Sequence, residues 1–294
     1  MVLKSYAKLN LYLSVLNKRR DNYHNIRTVF ERISLFDRII LKSRPDKKIR
    51  IICSGPGVPK GRSNLCVRAA KLLQEKFAVS EGVDIKLIKR IPVGAGLGGG
   101  SSNAATVLLG LNKLWRLNLT KEVLCKLSSR IGCDVPFFVR QINFGQGLLR
   151  GDKIIPLRVP KALHLWHVLV VPKIHVSTPW VYKEWDKISL NEGRAGLTTG
   201  KSGVKILTSA LRKKDLCLIE KSLSNELERV TLKAYPEVRR IKEKLLDLGF
   251  KATLMSGSGP AVFTIVSSRN EAVSLRRKLK TVSRSWRIFV ARSL

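Results

Sequence analysis

The chain reads as an α+β protein of two domains. Period-two stretches and helical stretches both occur, yet they do not alternate as strand–helix–strand units would. At 294 residues the chain exceeds what one hydrophobic core ordinarily organises. A concentration of glycine and serine at 94–102 also separates a strand pattern from a helix pattern, a common place for a ligand loop.

Leu9, Leu11, Leu13 and Val15 alternate with Lys8, Asn10 and Tyr12, the period of a half-buried strand. A loop at 18–24 separates it from a second β pattern at 28–41. A third strand pattern, Ile49, Arg50, Ile51 and Ile52, ends at the turn Gly55-Pro56-Gly57. From Asn64 onward Leu65, Ala69, Leu72 and Leu73 recur at helical spacing, and 83–91 returns to strand. After the glycines, Ala104, Val107, Leu108, Leu111 and Trp115 share a helical face, with the helix opening at Ser101 or Ser102. Thr120 is placed to cap the next helix, which ends near Gly132.

A boundary is expected near 157–160, dividing the chain into domains 1–156 and 157–294. Beyond it, 165–171 reads as strand, 192–203 as a surface loop, and 206–211, 216–227 and 238–248 as helices. A Gly-Ser turn then leads to a strand at 261–266, a helix near 271–279 and a strand at 287–291.

Composition narrows the function classes. No apolar run approaches the roughly 20 residues that a bilayer span needs. Lys4, Lys8 and Asn10 interrupt the start, which has no signal-peptide core, so a cytoplasmic protein without a membrane partner is expected. Five cysteines without C-x-x-C spacing argue for reduced thiols rather than disulfides or zinc. His164 and His167 have no carboxylate or cysteine cluster beside them, so no protein metal site is expected. Fifty-six Lys and Arg against 21 Asp and Glu give a net charge of +35. Such a field attracts anions. The basic residues are spread along the whole chain, however, and aromatics, at 6%, do not interleave with them as base-stacking platforms would. A solvated basic surface without a specific nucleic-acid partner is the expectation. Monomer and homodimer both stay open.

The most informative segment is Pro92-Val93-Gly94-Ala95-Gly96-Leu97-Gly98-Gly99-Gly100-Ser101-Ser102. Glycines let successive backbone amides converge on an anion, and the helix that follows adds unpaired amides and the positive end of its dipole. The segment is therefore expected to cradle phosphates, with serine hydroxyls available to a phosphate oxygen or Mg²⁺. Gly94, Gly96 and Gly99 fit G-x-G-x-x-G, but the second strand with its acidic end, which a dinucleotide site needs, does not follow. There is no Gly-Lys-Ser/Thr of a Walker A loop, and protein-kinase H-R-D and D-F-G segments are missing.

This loop resembles the central ATP motif of the GHMP kinases. Two further segments agree with the family in order along the chain. Ala7-Lys8-Leu9-Asn10-Leu11 with Asp21-Asn22-Tyr23-His24 resembles the N-terminal signature of a branch acting on a cytidine diphosphate-linked methylerythritol. Met255-Ser256-Gly257-Ser258-Gly259-Pro260 resembles the C-terminal glycine motif, and Asp134-Val135-Pro136 also fits.

The resemblance implies a two-domain GHMP kinase fold, its N-terminal part like a ribosomal-protein domain, with the active site between domains. It implies ATP as donor, accompanied by Mg²⁺, and a small-molecule acceptor. Lys8 and Asp134 are then the catalytic pair, Asp134 as general base and Lys8 polarising the acceptor hydroxyl beside Asn10. Gly257 and Ser258 join the phosphate loop. Tyr23, His24 and Tyr182 hold the cytosine by stacking and edge hydrogen bonding. Taken alone, a strand lysine is usually solvated and an aspartate two before proline usually caps a helix. Asn22 stands where the family usually has glycine and Tyr182 where it often has phenylalanine. Asparagine tolerates positive φ, and tyrosine preserves the stacking face. The +35 charge has no counterpart in the resemblance.

Overall fold

The computed structural model describes residues 1–55, 57–191 and 199–294. The chain forms two compact units, and both interleave along the sequence. One comprises Met1–Ala7, Leu35–Val93 and Gly98–Ile142; the other comprises Lys8–Ser34, Gly94–Leu97 and Asn143–Leu294.

Strands β1 (Val2–Lys18) and β2 (His24–Arg44) contribute residues to both units. The first unit adds β3 (Ile49–Ser54), α1 (Leu65–Lys76), β4 (Gly82–Ile88), α2 (Gly99–Leu114), α3 (Lys121–Ser128) and α4 (Val135–Arg140). Here β3 runs parallel to β4, from Ile49 opposite Val83 to Ser54 opposite Ile88. β4 runs antiparallel to the end of β2, with Arg38 opposite Ile88 and Arg44 opposite Gly82. Ile39, Leu41, Val83, Ile85 and Leu87 alternate into the core, as a strand period of two requires. Helix α2 packs close at Gly110, where a Cβ would come within 2.5 Å of Leu41 Cδ1 and 2.8 Å of Leu3 Cδ1. Asn64 caps α1 by accepting from the Cys66 amide, and Thr120 caps α3 by accepting from Val123.

The second unit adds β5 (Phe144–Leu148), β6 (Lys153–Pro156), β7 (Trp166–Val171), α5 (Thr178–Asn191), α6 (Thr199–Lys213), α7 (Leu216–Ser222) and β8 (Ser224–Asn225). It continues with α8 (Glu228–Ala234), α9 (Pro236–Asp247), β9 (Thr253–Met255), β10 (Val262–Val266), α10 (Arg269–Val282) and β11 (Arg287–Arg292). An antiparallel sheet runs β11-β7-β10-β9. Val168, Val170 and Val262 pack with Val238, Ile241 and Leu245 of α9 and Ala272, Leu275 and Leu279 of α10, so helices cover the sheet. The start of β2 pairs with β5 of the β5–β6 hairpin, and Tyr12–Leu13 of β1 pair in parallel with β8.

Several expectations need correction. Helix α2 opens at Gly99, ahead of both serines, because Gly98 takes a left-handed φ of 64° and itself serves as N-cap. The strand expected at 83–91 stops at Ile88, since the amides of Arg90 and Ile91 turn to the Asp37 carboxylate. The single helix expected at 216–227 ends at Ser222. Glu226 accepts the Ser14 hydroxyl and the Val15 amide, and the Asn225 amide donates to the carbonyls of Met255 and Gly257. Those tertiary bonds outcompete a continued helix. Of the loop expected at 192–203, residues 192–198 lie outside the described residues and Thr199 already opens α6. Pro56 of the expected turn is also outside them. The hairpin β5–β6 and helices α4 and α5 had no expectation attached.

Candidate active site

Gly94, Gly96 and Gly98 have φ values of 67°, 75° and 64°, alternating with ordinary residues. Such alternation turns successive amides toward one side, the geometry of an anion-binding nest. Gly98 then starts α2, with Ser102 donating the helix's first bond to its carbonyl at 2.8 Å. The amides of Gly99, Gly100 and Ser101 precede that bond, so they have no acceptor within the helix. Pro92 is buried, and Val93, Gly94 and Gly100 are exposed. The buried Ala95 and Leu97 side chains anchor the segment.

In the first unit the loop's support is a buried polar network centred on Asp37. Its Oδ1 accepts the amides of Arg90 and Ile91 at 2.7 and 2.9 Å, and its Oδ2 accepts Lys89 Nζ at 2.5 Å and Asn103 Nδ2 at 2.9 Å. Asn103 also donates to the Ser5 hydroxyl, which shares a 2.8 Å hydrogen bond with Ser102. The Ser102 hydroxyl thus has a partner already. Asp134 belongs to this unit and occupies the N-cap position of α4, but its carboxylate accepts no capping bond from that helix. The ordinary reason for an aspartate before Val-Pro therefore does not apply here.

In the second unit, Gly94–Leu97 meet Lys8, Asn10 and the turn 256–259. The Lys8 amide donates to the Leu97 carbonyl at 3.0 Å, and the Ala261 amide to the Ala95 carbonyl. The Ser256 hydroxyl donates to the Gly96 carbonyl at 3.0 Å and accepts from the Asn10 amide at 3.3 Å. Lys8 Nζ, buried, donates to Asn10 Oδ1 and lies 5.3 Å from the centre of the Phe30 ring. Asn10 Nδ2 donates to Thr28 Oγ1 at 2.8 Å, which fixes the amide's orientation. A Cβ on Gly257 would sit 3.3 Å from Asn10 Oδ1, and Ser258 and Thr178 share a hydrogen bond of 2.7 Å. The two glycine segments and the Lys8–Asn10 pair are thus neighbours although the chain separates them by up to 250 residues. His175, which the sequence reading missed, lies over Gly94, its Cδ2 3.2 Å from where a Cβ would be.

Farther along β1 and β2, Tyr182 stacks on His24 with ring centres 5.0 Å apart and planes at 22°. His24 Nε2 lies 2.5 Å from Asp186 Oδ1, and Lys18 Nζ donates to Asp186 Oδ2 at 2.9 Å. Burial works to raise the Asp186 carboxyl, but the bonds from Lys18 and His24 outweigh it and hold it below the usual carboxylate range. Tyr23 is half exposed, with the Arg150 guanidinium over its ring at 5.0 Å. Asp186 and Arg150 carried no sequence signal of their own; only their folded neighbours mark them.

Among the described residues no group of three or more His, Cys, Asp or Glu is arranged to hold a metal ion. None of the helices described is long and apolar enough to cross a membrane.

Residues 64–141 match the GHMP kinases N terminal domain and residues 207–284 the GHMP kinases C terminal domain. The 4-diphosphocytidyl-2-C-methyl-D-erythritol kinase of Acetivibrio thermocellus is 36% identical, with 99% of this chain and 98% of that protein covered. The kinase of that name from Geobacillus kaustophilus is 44% identical over 90% of this chain and 87% of its own. A crystal structure of 4-(cytidine 5'-diphospho)-2C-methyl-D-erythritol kinase superposes with a TM-score of 0.80 at 32% identity, covering 99% of this chain and 98% of that one. The L. major mevalonate kinase in complex with R-mevalonate superposes at 0.76 over 100% and 95% of the two chains; at 15% identity it shares the fold alone. Similarity of this degree over nearly the whole length makes the chain a member of the 4-diphosphocytidyl-2-C-methyl-D-erythritol kinase family, within the GHMP kinases.

Proposed function

We propose that the enzyme transfers the γ-phosphoryl group of ATP to the 2-hydroxyl of 4-diphosphocytidyl-2-C-methyl-D-erythritol, a step of the non-mevalonate route to isoprenoid precursors. The observation that carries the reading is the meeting of Gly94–Leu97, Lys8, Asn10 and the 256–259 turn in one unit. These are three separate family motifs, and their relatives bear that enzyme's name.

The amides of Gly94–Ser102 and the positive end of α2 would hold the triphosphate, with Gly257 and Ser258 closing on it. Phosphoryl transfer depends mainly on positioning and charge neutralisation. Lys8 supplies a buried positive charge for the transferred group, and Asn10 orients Lys8 by accepting its Nζ hydrogen. Asp134 takes the proton of the acceptor hydroxyl while the new oxygen–phosphorus bond forms and the β–γ bridging bond breaks, releasing ADP. Tyr23, His24 and Tyr182 hold the cytosine, each stacked base contributing about 1–3 kcal/mol.

Mg²⁺ fits this donor set as a nucleotide-borne ion, because it keeps several waters and binds substrate phosphates with few protein ligands. Ser101 would offer a hydroxyl to it, and the ion would neutralise charge on the phosphates. The functional division of the chain is taken near 156–157, between the two matched family segments, and the enzyme is read as cytoplasmic and as a monomer or homodimer.

Purified protein incubated with ATP and the cytidylyl substrate should release ADP and yield the 2-phosphate. Turnover of homoserine or mevalonate instead, with none of the cytidylyl compound, would overturn the substrate assignment.

A further inference from the structure

We infer that Asp186 is a positioning residue for nucleobase selection: it holds the proton on His24 Nε2, so that Nδ1 is an acceptor for the exocyclic amine of cytosine and rejects uracil. The inference rests on the cytosine-binding reading above and adds a residue and a discrimination mechanism to it.

An ionised carboxylate only accepts hydrogen bonds. Asp186 is kept ionised by Lys18 on Oδ2 and by the imidazole on Oδ1. With the carboxylate ionised and able only to accept, the proton of the 2.5 Å contact at Oδ1 lies on Nε2. Binding one nitrogen of a histidine in this way decides the role of the other. In the neutral ring Nδ1 is then bare, and among the described residues it makes no hydrogen bond.

Turning the ring over would give up the bond from Nε2 to Asp186. Tyr182 and Asp186 lie one turn apart on α5, so one helix face supplies both the stacking partner and the edge partner. Trp185 of the same helix meets the imidazole edge-on, with ring centres 6.0 Å apart. The His24 side chain is 4% exposed, whereas that of Lys18 is 53% exposed. The lysine end of the triad is therefore a solvated ion pair of small energetic weight, and the histidine end is the part shielded from water.

Cytosine and uracil differ at one edge position. Cytosine presents an amine there, which donates to a bare Nδ1; uracil presents a carbonyl oxygen, which sets lone pair against lone pair. A buried polar pocket that is mismatched in this way discriminates strongly. Without Asp186 the neutral ring is free to move its proton to Nδ1, and the preference fades.

The test compares wild type with Asp186→Asn, Asp186→Ala and Lys18→Met. Nitrogen-15 NMR of the histidine rings should show Nε2 of His24 protonated and Nδ1 bare in wild type and in Lys18→Met. In Asp186→Asn the amide donates to Nε2 and the proton pattern reverses. Binding of cytidine 5′-diphosphate over uridine 5′-diphosphate should fall by about tenfold in both Asp186 variants, the worth of the one hydrogen bond from the cytosine amine to Nδ1. The KM for the cytidylyl substrate should rise by a similar factor while kcat changes little, because Asp186 touches no reacting atom. Unchanged selectivity and an unchanged ring pattern in variants of an active enzyme would overturn this inference alone. A wild type that neither binds cytidine 5′-diphosphate nor turns over the cytidylyl substrate would instead overturn the functional reading, and base selection with it.

Discussion

Gly96 and Ser256 lie backbone to backbone. The Ser256 hydroxyl donates to the Gly96 carbonyl at 3.0 Å, and a Cβ on Gly96 would come within 2.0 Å of the Ser256 carbonyl oxygen. The central and C-terminal glycine motifs are therefore pressed together, and Gly96 answers two demands at once. Its φ of 75° is one that residues with a Cβ adopt only at a cost, and it has no room for a side chain.

Gly96→Ala should lower stability by more than about 3 kcal/mol, since a backbone clash adds to left-handed strain. Gly249→Ala is the control: its φ is 88° but nothing lies within 4 Å of the new Cβ, so strain of about 1 kcal/mol is all it should show. Urea denaturation of both variants measures the difference. Equal losses would mean that the turn at 256 yields.

Asp37→Asn should destabilise the first unit by about 3–5 kcal/mol, because it leaves the Lys89 ammonium buried without its counter-charge. The Lys89 side chain is 6% exposed and that of Asp37 fully buried. Guanidinium denaturation checks the loss. ATP binding should weaken alongside it, because Arg90, Ile91 and Asn103 flank the glycine segment.

Asp134→Asn should reduce kcat by about 10²–10⁴-fold, the usual range for a lost general base. KM should move little, as the amide preserves shape. Steady-state kinetics with the cytidylyl substrate decide the point, and near-normal turnover would remove Asp134 from that role.

The hydrogen bonds from Arg44 hold the Asp46 carboxyl down at about 2. A carboxyl whose folded value lies below its unfolded one adds stability above the unfolded value and loses it as the pH falls through the folded value. The expected window runs from pH 4 to pH 2. Arg44→Met, which removes the pair, should be less stable than wild type at pH 5, and the gap should close across that window. A pH-independent gap in denaturation midpoints would contradict the ion pair as its source.

How much of this was legible beforehand depends on how local the cause is. Lys8 and Asn10 share a side because strand residues two apart do, and the glycine segment announced its nest by composition alone. Thr120 as a cap and the apolar face of α2 were equally visible. Helix 216–227 misled because Leu218, Ile219 and Leu227 keep helical spacing, while Asn225 and Glu226 are claimed by partners roughly 30 and 210 residues away.

The order of amino acids by itself determined which short segments form most of the strands and helices and where a glycine-rich turn falls, for those follow from side-chain period and backbone freedom within a dozen residues. The tertiary structure decided which segments meet: Gly96 against Ser256, Asp37 beneath the loop, and Asp186 at the edge of His24. Buried carboxylates and tight glycines draw their meaning from partners brought close by packing, and sequence spacing carries no record of those distances.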